Sequence, residues 1–386
     1  MIDKKYYNEI KEYCSEHIEE YKTLIKKITS IPAPSHKEER REKYLLGLLS
    51  EMGIKSHSDI AKNIVIDEFY TGEDTHLYMA HIDTVFPDEK EIKVIEEEGK
   101  IKAPGVGDDT ANVAALIMTL GFIKKNDIKP DRSLLFVLDS CEEGLGNLKG
   151  CKQIFCDYGE NITQTISFDL GYDRIVNKAV GSCRYEIGIK TEGGHSFNKF
   201  GNKNAIEYIS KLVTEIYSVD VRNMTGKNTY NVGLINGGTS VNTIAEEAGM
   251  LFEYRSDSDE GLKTLKNTFE NLFYEFKNKN HDIEFKMELL GERPSERNVD
   301  ETSQEKLTCM GKEIIELVTG KNAESCSGST DCNIPLSRGI PAICYGTHIG
   351  AGYHTRDEYI EISSLKDGLV IAMLTVLQEF KNNGAV

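Results

Sequence analysis

The stretch SLLFVLDSCEEG, residues 133–144, sets an apolar run directly against two neighbouring glutamates. A short continuous apolar run of this kind is typical of a strand that is buried on both faces. In open α/β sheets, ligands bind beyond the carboxyl ends of such strands. Glu142 and Glu143 therefore stand where a ligand would be held, although no basic residue beside them in the sequence offsets their charge.

Four more segments place side chains that can bind metals at the ends of apolar runs. They are LYMAHIDT with His81 and Asp83, APGVGDDTAN with Asp108 and Asp109, ISFDLG with Asp169, and GYHTRDE with His354. Each has an ordinary explanation when taken alone, since an aspartate before a helix commonly caps it and loop carboxylates are commonly solvated. Five such strand ends in one predicted layer favour a shared site over coincidence.

This set of side chains indicates a particular chemistry. Histidine and carboxylate ligands without cysteine suit a catalytic site for a divalent cation such as Zn²⁺. Two cations roughly 3.5–4 Å apart need a bridging carboxylate, and one further carboxylate must accept a proton from the attacking water. A ligating histidine commonly donates its second N–H to a carboxylate, and Asp83 lies on the same side of the strand as His81. The pattern predicts a two-metal hydrolase.

Composition and charge narrow the class of protein further. The 386 residues favour two domains, and a net charge of −17 argues against nucleic acid or anionic membranes as partners. We expect neither an apolar stretch of the roughly 18–20 residues that span a bilayer nor a secretory signal. Nine irregularly spaced cysteines indicate reduced thiols. These features predict a cytoplasmic protein.

The order of predicted elements gives the fold class. Helices over 4–29, from Ser35 to about Met52 and over 111–125, with strands in NIVIDEF, THLYMAHI, SLLFVLDS and TISFDL, predict an α/β layer on a partly parallel sheet. From Lys178, a β-α-β-β-α-β order indicates a ferredoxin-like sandwich. After GERPSER, helices at 302–319 and 364–381 and the strand PAICYG resume the first pattern. We predict a discontinuous catalytic domain, 1–177 and 294–386, with an inserted domain at 178–293.

Eight motifs in order extend this interpretation: HIDT, GVGDDT, EEG, FDLG, GGHSF, NTI, GSTD and HTRDE. Over nearly its whole length the chain resembles the zinc peptidase superfamily of peptidase T, carboxypeptidase G, aminoacylase and succinyl-diaminopimelate desuccinylase. GSTDCN, GIPAICYG and GGHSFNKFGNKNAI look closest to the peptidase T-like branch. The resemblance implies an α/β zinc-peptidase catalytic domain and an inserted lid domain, through which family members commonly form homodimers.

The resemblance also implies a role for each residue of the site. Two zinc ions per chain, or Co²⁺ or Mn²⁺ in their place, would be bound by His81 and Asp169, by Glu143 and His354, and by Asp108 as the bridge. Asp83 would orient His81, and Glu142 would be the general base that later protonates the leaving amine. Family members often have a cis peptide bond after the bridging aspartate, which would fall at Asp108–Asp109.

Three residues of the inserted domain match family positions that contact the substrate. His195 in GGHSF would stabilise the oxyanion, in its own subunit or in a partner's, although alone it reads as a surface histidine. Asn242 in NTI and Arg255 in FEYR would hold the carbonyl or carboxylate of the substrate. Arg255 could equally pair with Glu253 or Asp257 on the surface. His348 is an extra histidine six residues before His354. It could line the pocket or substitute in metal binding, but the sequence favours a loop residue without a role.

The function that these features favour is hydrolysis of an amide bond in small peptides by an aminopeptidase, tripeptidase or dipeptidase. An N-acyl amino-acid deacylase would use the same metals and the same base. A binding protein that has kept the fold and lost the chemistry is a third class, but all the expected ligands and the base are present. The glycine-rich GLGNLKG, residues 144–150, lacks the spacing of a nucleotide-binding loop.

Overall fold

The structure, a computed structural model, describes residues 4–380. The helices are α1 (Lys4–Glu16), α2 (Ile18–Thr29), α3 (Glu39–Glu51), α4 (Asn112–Lys125), α5 (Lys149–Asp157), α6 (Ala205–Tyr217), α7 (Asp259–Lys279), α8 (Glu301–Thr319), α9 (Asn333–Ser337) and α10 (Ile362–Leu377). The strands are β1 (His57–Ser58), β2 (Ile64–Ile66), β3 (Thr75–His81), β4 (Ile95–Glu97), β5 (Lys100–Lys102), β6 (Leu134–Asp139), β7 (Ile162–Ser167), β8 (Arg174–Ala179), β9 (Gly181–Lys190), β10 (Gly194–His195), β11 (Asn228–Gly237), β12 (Thr243–Ile244), β13 (Glu247–Ser256), β14 (Glu284–Arg293), β15 (Glu324–Gly328), β16 (Ala342–Cys344), β17 (Gly350–Ala351) and β18 (Tyr359–Glu361).

The chain divides into two compact units, 1–178 with 298–386, and 179–297. In the first unit an eight-stranded sheet has the order β1-β2-β6-β3-β7-β16-β8-β15. The neighbours β6, β3, β7 and β16 run parallel, and β2 and β8 are antiparallel to the strands beside them. This mixed, partly parallel sheet confirms the predicted α/β class of the layer.

Helices cover both faces of this sheet and bury its central strands. Every residue of β3 and β6 is buried, as the unbroken apolar run of β6 predicts. One face packs with α1, α2, α4, α8 and α10, and the other packs with α5 and α9. Because β6, β3, β7 and β16 are parallel, their carboxyl ends lie at the same edge of the sheet.

The second unit follows a β-α-β-β-α-β order, with a small additional two-stranded antiparallel sheet formed by β10 and β12. Its four long strands form an antiparallel sheet in the order β11-β13-β9-β14. α6 and α7 pack on one face through a core that includes Tyr185, Phe252 and Phe269. The lid and dimerisation roles predicted for this region stay predictions.

Two expected helices differ in the structure. The predicted helix over 4–29 is two helices, because the backbone of His17 leaves helical geometry at φ −104° and ψ 12°. The helix expected from Ser35 begins instead at Glu39, and the Ser35 hydroxyl donates to Asp83 rather than capping a helix. The capping prediction for Ser35 is therefore wrong, since a long-range partner competes for its hydroxyl.

One apolar segment is longer than the sequence analysis expected. Among the described residues, Val106–Lys125 is long and apolar enough to cross a membrane by length and composition, so the expectation that no stretch approaches this length is wrong. However, 94% of that window is buried inside the protein, as in the core helix of a folded domain. All nine cysteines are free thiols in the structure, as predicted.

Candidate metal centre

The parallel strands of the central sheet bring three of the five predicted segments to one place. His81 is the last residue of β3, Glu142 and Glu143 follow β6, and Asp169 follows β7. Asp108 lies in the turn before α4, and His354 lies in the segment between β17 and β18. Strand order explains this convergence for the residues after β3, β6 and β7. β5, β17 and β18 belong to a separate four-stranded sheet, so the expectation of five strand ends in one layer is wrong for Asp108 and His354.

Two groups of side chains share Asp108. His81, Asp108 and Asp169 have ligand atoms within 4.8 Å of one another, and so do Asp108, Glu143 and His354. Asp108 Oδ1 lies 3.0 Å from His81 Nε2, and its Oδ2 lies 3.0 Å from His354 Nε2. The two oxygens of one carboxylate thus face two different histidines, which is the arrangement that a bridging ligand requires.

The electrostatics of this cluster favour cations. Burial, reinforced by the charge of Asp108, raises the pKa of the Glu143 and Asp169 carboxyls to about 8. Burial also acts to raise the pKa of Asp108, but the hydrogen bonds of His354 and His81 hold it below its usual range. Buried like charges that raise one another's pKa are stabilised by divalent cations, and imidazole with carboxylate suits Zn²⁺, Co²⁺ or Mn²⁺. The residues present therefore fit a metal pair.

Glu142 lies beside both groups. The residue is 5% exposed, and it forms a third cluster with His81 and Glu143, again with ligand atoms within 4.8 Å of one another. Its position is therefore compatible with a base next to the metals and also with a ligand.

Asp83 accepts hydrogen bonds from the segment after β6 and from Ser35. Its Oδ1 accepts from the backbone N–H of Glu142 at 2.9 Å, and its Oδ2 accepts from that of Glu143 at 3.1 Å and from the Ser35 hydroxyl at 2.6 Å. His81 Nδ1 lies 3.1 Å from the Asp83 carbonyl oxygen and 3.5 Å from its carboxylate. Asp83 therefore positions the glutamate pair as well as His81, a contact set that sequence spacing does not reveal.

Asp109 has a supporting position behind the ligands. Its Oδ2 accepts from the backbone N–H of His81 at 2.9 Å, and its Oδ1 accepts from Asn112 Nδ2 at 2.6 Å. Asn112 also donates to Leu170 O and accepts from Thr347, so one amide joins three loops of the site. The peptide bond Asp108–Asp109 is cis, as the resemblance predicted.

His348 is fully buried and is not part of the metal-ligand groups found among the described residues. Burial lowers its pKa to about 4, so the imidazole is neutral near pH 7. Its Nε2 lies 3.1 Å from the hydroxyl of Tyr353, the residue before His354. His348 therefore packs beside a ligand-bearing segment.

Arg41, on α3, is a buried basic residue near the site, and none of the motifs includes it. It is 1% exposed and donates to Ile31 O at 2.7 and 3.0 Å and to Ile82 O at 2.8 Å. Burial lowers its pKa to about 10, while the charges of Asp83 and Asp109 act to raise it. Arg41 is thus a buried cation close to the buried carboxylates.

We expect Arg41→Met to lower the free energy of unfolding by about 3–5 kcal/mol, because a buried charge partner is lost and two backbone carbonyls lose their donor. Arg40 is the matched control, since it is exposed and donates to Glu89 O. Arg40→Met should change stability by no more than about 0.5 kcal/mol. Urea denaturation of the metal-free proteins measures both values, and similar effects of the two substitutions would contradict the expectation.

The three residues predicted to contact substrate lie in the second unit. His195 and Asn242 are neighbours, since His195 pairs with Thr243 and the N–H of Ser196 donates to Asn242 O at 2.9 Å. The N–H groups of Phe197 and Asn198 donate to His195 Nδ1 at 3.3 and 3.4 Å. The imidazole is exposed, and this tautomer presents its own N–H at Nε2.

Arg255 lies away from the β10–β12 pair, near the end of β13 and on the face opposite the buried Phe252 and Tyr254. Its side chain is 38% exposed, and its guanidinium donates twice to the Glu253 carboxylate, each time at 3.0 Å. This is the surface pair that the sequence left as the alternative. Its role with substrate stays a prediction.

Clusters of histidines and carboxylates beside the strand ends of a mixed sheet are typical of metallohydrolases. The chain belongs to peptidase family M20/M25/M40, whose family model matches residues 77–378. This places it within the superfamily that its motifs resemble, among the hydrolases of C–N amide bonds.

Relatives and solved structures agree with this assignment. The chain is 22% identical over 376 residues to succinyl-diaminopimelate desuccinylase of Rickettsia rickettsii, covering 90% of this chain and 96% of that one. A tripeptidase from Staphylococcus aureus has a TM-score of 0.71 at 21% identity, covering 93% and 98% of the two chains. The YXEP protein of Bacillus subtilis, described as a dinuclear metal binding peptidase, has a TM-score of 0.62 at 14% identity, covering 95% and 99%. At these identities the structures show a shared fold.

Proposed function

We propose that this protein is a two-zinc hydrolase that cleaves an amide bond in short peptides, as an aminopeptidase, tripeptidase or dipeptidase of peptidase T type. The observation that carries the proposal is the pair of ligand groups that share the Asp108 carboxylate. Each group joins one histidine to two carboxylates, which leaves positions open for water and substrate on a catalytic zinc ion.

Five residues would hold the ions: His81 and Asp169 at one, Glu143 and His354 at the other, and Asp108 at both. When bound, the zinc pair supplies Lewis-acid polarisation of the scissile carbonyl and a nucleophilic water at neutral pH. Co²⁺ or Mn²⁺ would suit the same ligands.

Protein side chains would then carry the proton and the developing charge. Glu142 takes a proton from the attacking water and delivers it to the leaving nitrogen. Asp83 keeps Glu142 in place through the backbone N–H of that residue. His195 donates from Nε2 to the oxyanion, and Asn242 and Arg255 hold the carbonyl or carboxylate of the substrate.

A deacylase remains the second candidate, because a desuccinylase matches 90% of this chain. Peptidase activity is favoured by the motifs GSTDCN and GGHSFNKFGNKNAI and by fold similarity to a tripeptidase. In both cases the reaction is hydrolysis at the same site, so the substrate distinguishes them. We further propose a cytoplasmic homodimer that associates through the inserted domain.

Digestion of a peptide library by the zinc-loaded protein, read by mass spectrometry, tests the peptidase proposal. We expect removal of single residues from di- and tripeptides with free amino groups, and little cleavage of N-acetylated or N-succinylated amino acids. The same preparation assayed on blocked substrates is the control. Exclusive cleavage of the blocked compounds would replace the peptidase assignment with that of a deacylase.

A further inference from the structure

Glu358 is a buried carboxylate that accepts hydrogen bonds from three backbone N–H groups. It is fully buried and lies immediately before β18. Its Oε2 accepts from Gly105 N at 2.7 Å, and its Oε1 accepts from Gly107 N at 2.8 Å and from Asp108 N at 2.9 Å. These donors belong to the turn that presents the Asp108 carboxylate to His81 and His354.

The two glycines of this turn have no room for a side chain, so neighbouring residues closely enclose the backbone there. Gly105 has a φ of +72°, and a Cβ there would lie 2.6 Å from Thr84 Cγ2. A Cβ on Gly107 would lie 2.7 Å from His348 Nε2. Successive N–H groups that converge in such a turn form a site for an anion, and without one they would be buried donors lacking a partner.

The segment that carries Glu358 is itself fixed to the strand leading into this turn. Tyr359 pairs with Lys102 in the β18–β5 ladder, and Ala103 N donates to Glu358 O at 3.1 Å. The same segment supplies His354, four residues earlier. A shift of Glu358 would therefore change the placement of the shared carboxylate relative to its histidine partner.

We propose that Glu358 is a positioning residue that holds the Gly105–Asp108 turn so that the Asp108 carboxylate can serve both metal ions. This inference rests on the proposed two-metal function. Glu358 contacts no metal in this role and acts through the backbone of Asp108. The carboxylate form is required because the three N–H groups need acceptors, and a glutamine amide would set its NH₂ group against at least one of them.

Glu358→Gln is the test, with Asp357→Asn as the matched control because the neighbouring Asp357 is exposed. Zn²⁺ is titrated into the metal-free proteins in competition with a chromophoric chelator. We expect Glu358→Gln to weaken both zinc affinities about 10- to 100-fold, as loss of residues supporting metal ligands commonly does, and Asp357→Asn to leave them unchanged. The Co²⁺ absorption spectrum of Glu358→Gln should also change shape, since both coordination spheres include Asp108.

Unchanged zinc affinities and an unchanged Co²⁺ spectrum in Glu358→Gln would overturn the inference. If that variant does not fold, hydrogen exchange in the metal-free wild type decides the matter. The amides of Gly105, Gly107 and Asp108 should then be protected without metal, and their rapid exchange would overturn the inference. Failure of the wild type to bind two zinc ions would instead overturn the proposed function, so the two outcomes are distinguishable.

Discussion

Glu142→Gln is expected to lower kcat by about 10²- to 10⁴-fold, the usual contribution of a general base, while the protein still binds two zinc ions. Glutamine keeps the size of the side chain but cannot accept the proton of the attacking water. The hydrogen bond from the Glu142 N–H to Asp83 involves the backbone and survives the substitution. Turnover on the peptide found by library digestion, with zinc measured by elemental analysis, gives both quantities.

Glu143→Gln is the matched variant, because the neighbouring side chain belongs to the group with Asp108 and His354. A neutral amide is a poorer zinc ligand than a carboxylate, so this variant should lose zinc as well as activity. The comparison matters because Glu142 also lies within 4.8 Å of ligand atoms on His81 and Glu143. Equal loss of zinc in the two variants would contradict the division of roles between them.

The sequence predicted the strand-end ligands because a strand has a simple pattern. The apolar run of β6 is buried throughout, and parallel neighbours open at the same edge of the sheet. Any polar residue just after such a run is therefore brought near the others, which accounts for His81, Glu143 and Asp169. His354 was also a candidate from the sequence, but it lies between β17 and β18 of the separate four-stranded sheet, so the argument from parallel strands does not account for its position.

The supporting contacts could not be predicted from the sequence. The Ser35 hydroxyl has an aspartate partner 48 residues away, so the local capping pattern was misleading. Glu358 is separated by 250 residues from the Asp108 N–H that it accepts. Arg41 lies on α3 and donates to carbonyls of Ile31 and Ile82, in the segments after α2 and β3. Such pairings depend on how elements pack, and local periodicity carries no information about them.

Asp108→Asn is expected to remove both metal ions and to reduce kcat by about 10³-fold or more, since metals supply several kcal/mol of transition-state stabilisation. The reason is geometric. One carboxylate places its two oxygens 3.0 Å from His81 Nε2 and from His354 Nε2, whereas an asparagine offers a single oxygen. Elemental analysis after dialysis against zinc-free buffer, with a parallel assay of turnover, measures the two losses.

Variants of the unshared ligands are the control for this prediction. Asp169 belongs only to the group with His81, and His354 only to the group with Glu143, so Asp169→Asn and His354→Gln should each weaken one ion. The shared ligand contributes to both groups, whereas each unshared ligand contributes to one. Asp108→Asn should therefore lose more zinc than either single-group variant. A tightly held ion in Asp108→Asn, comparable to that in Asp169→Asn, would show that Asp108 serves one metal rather than two.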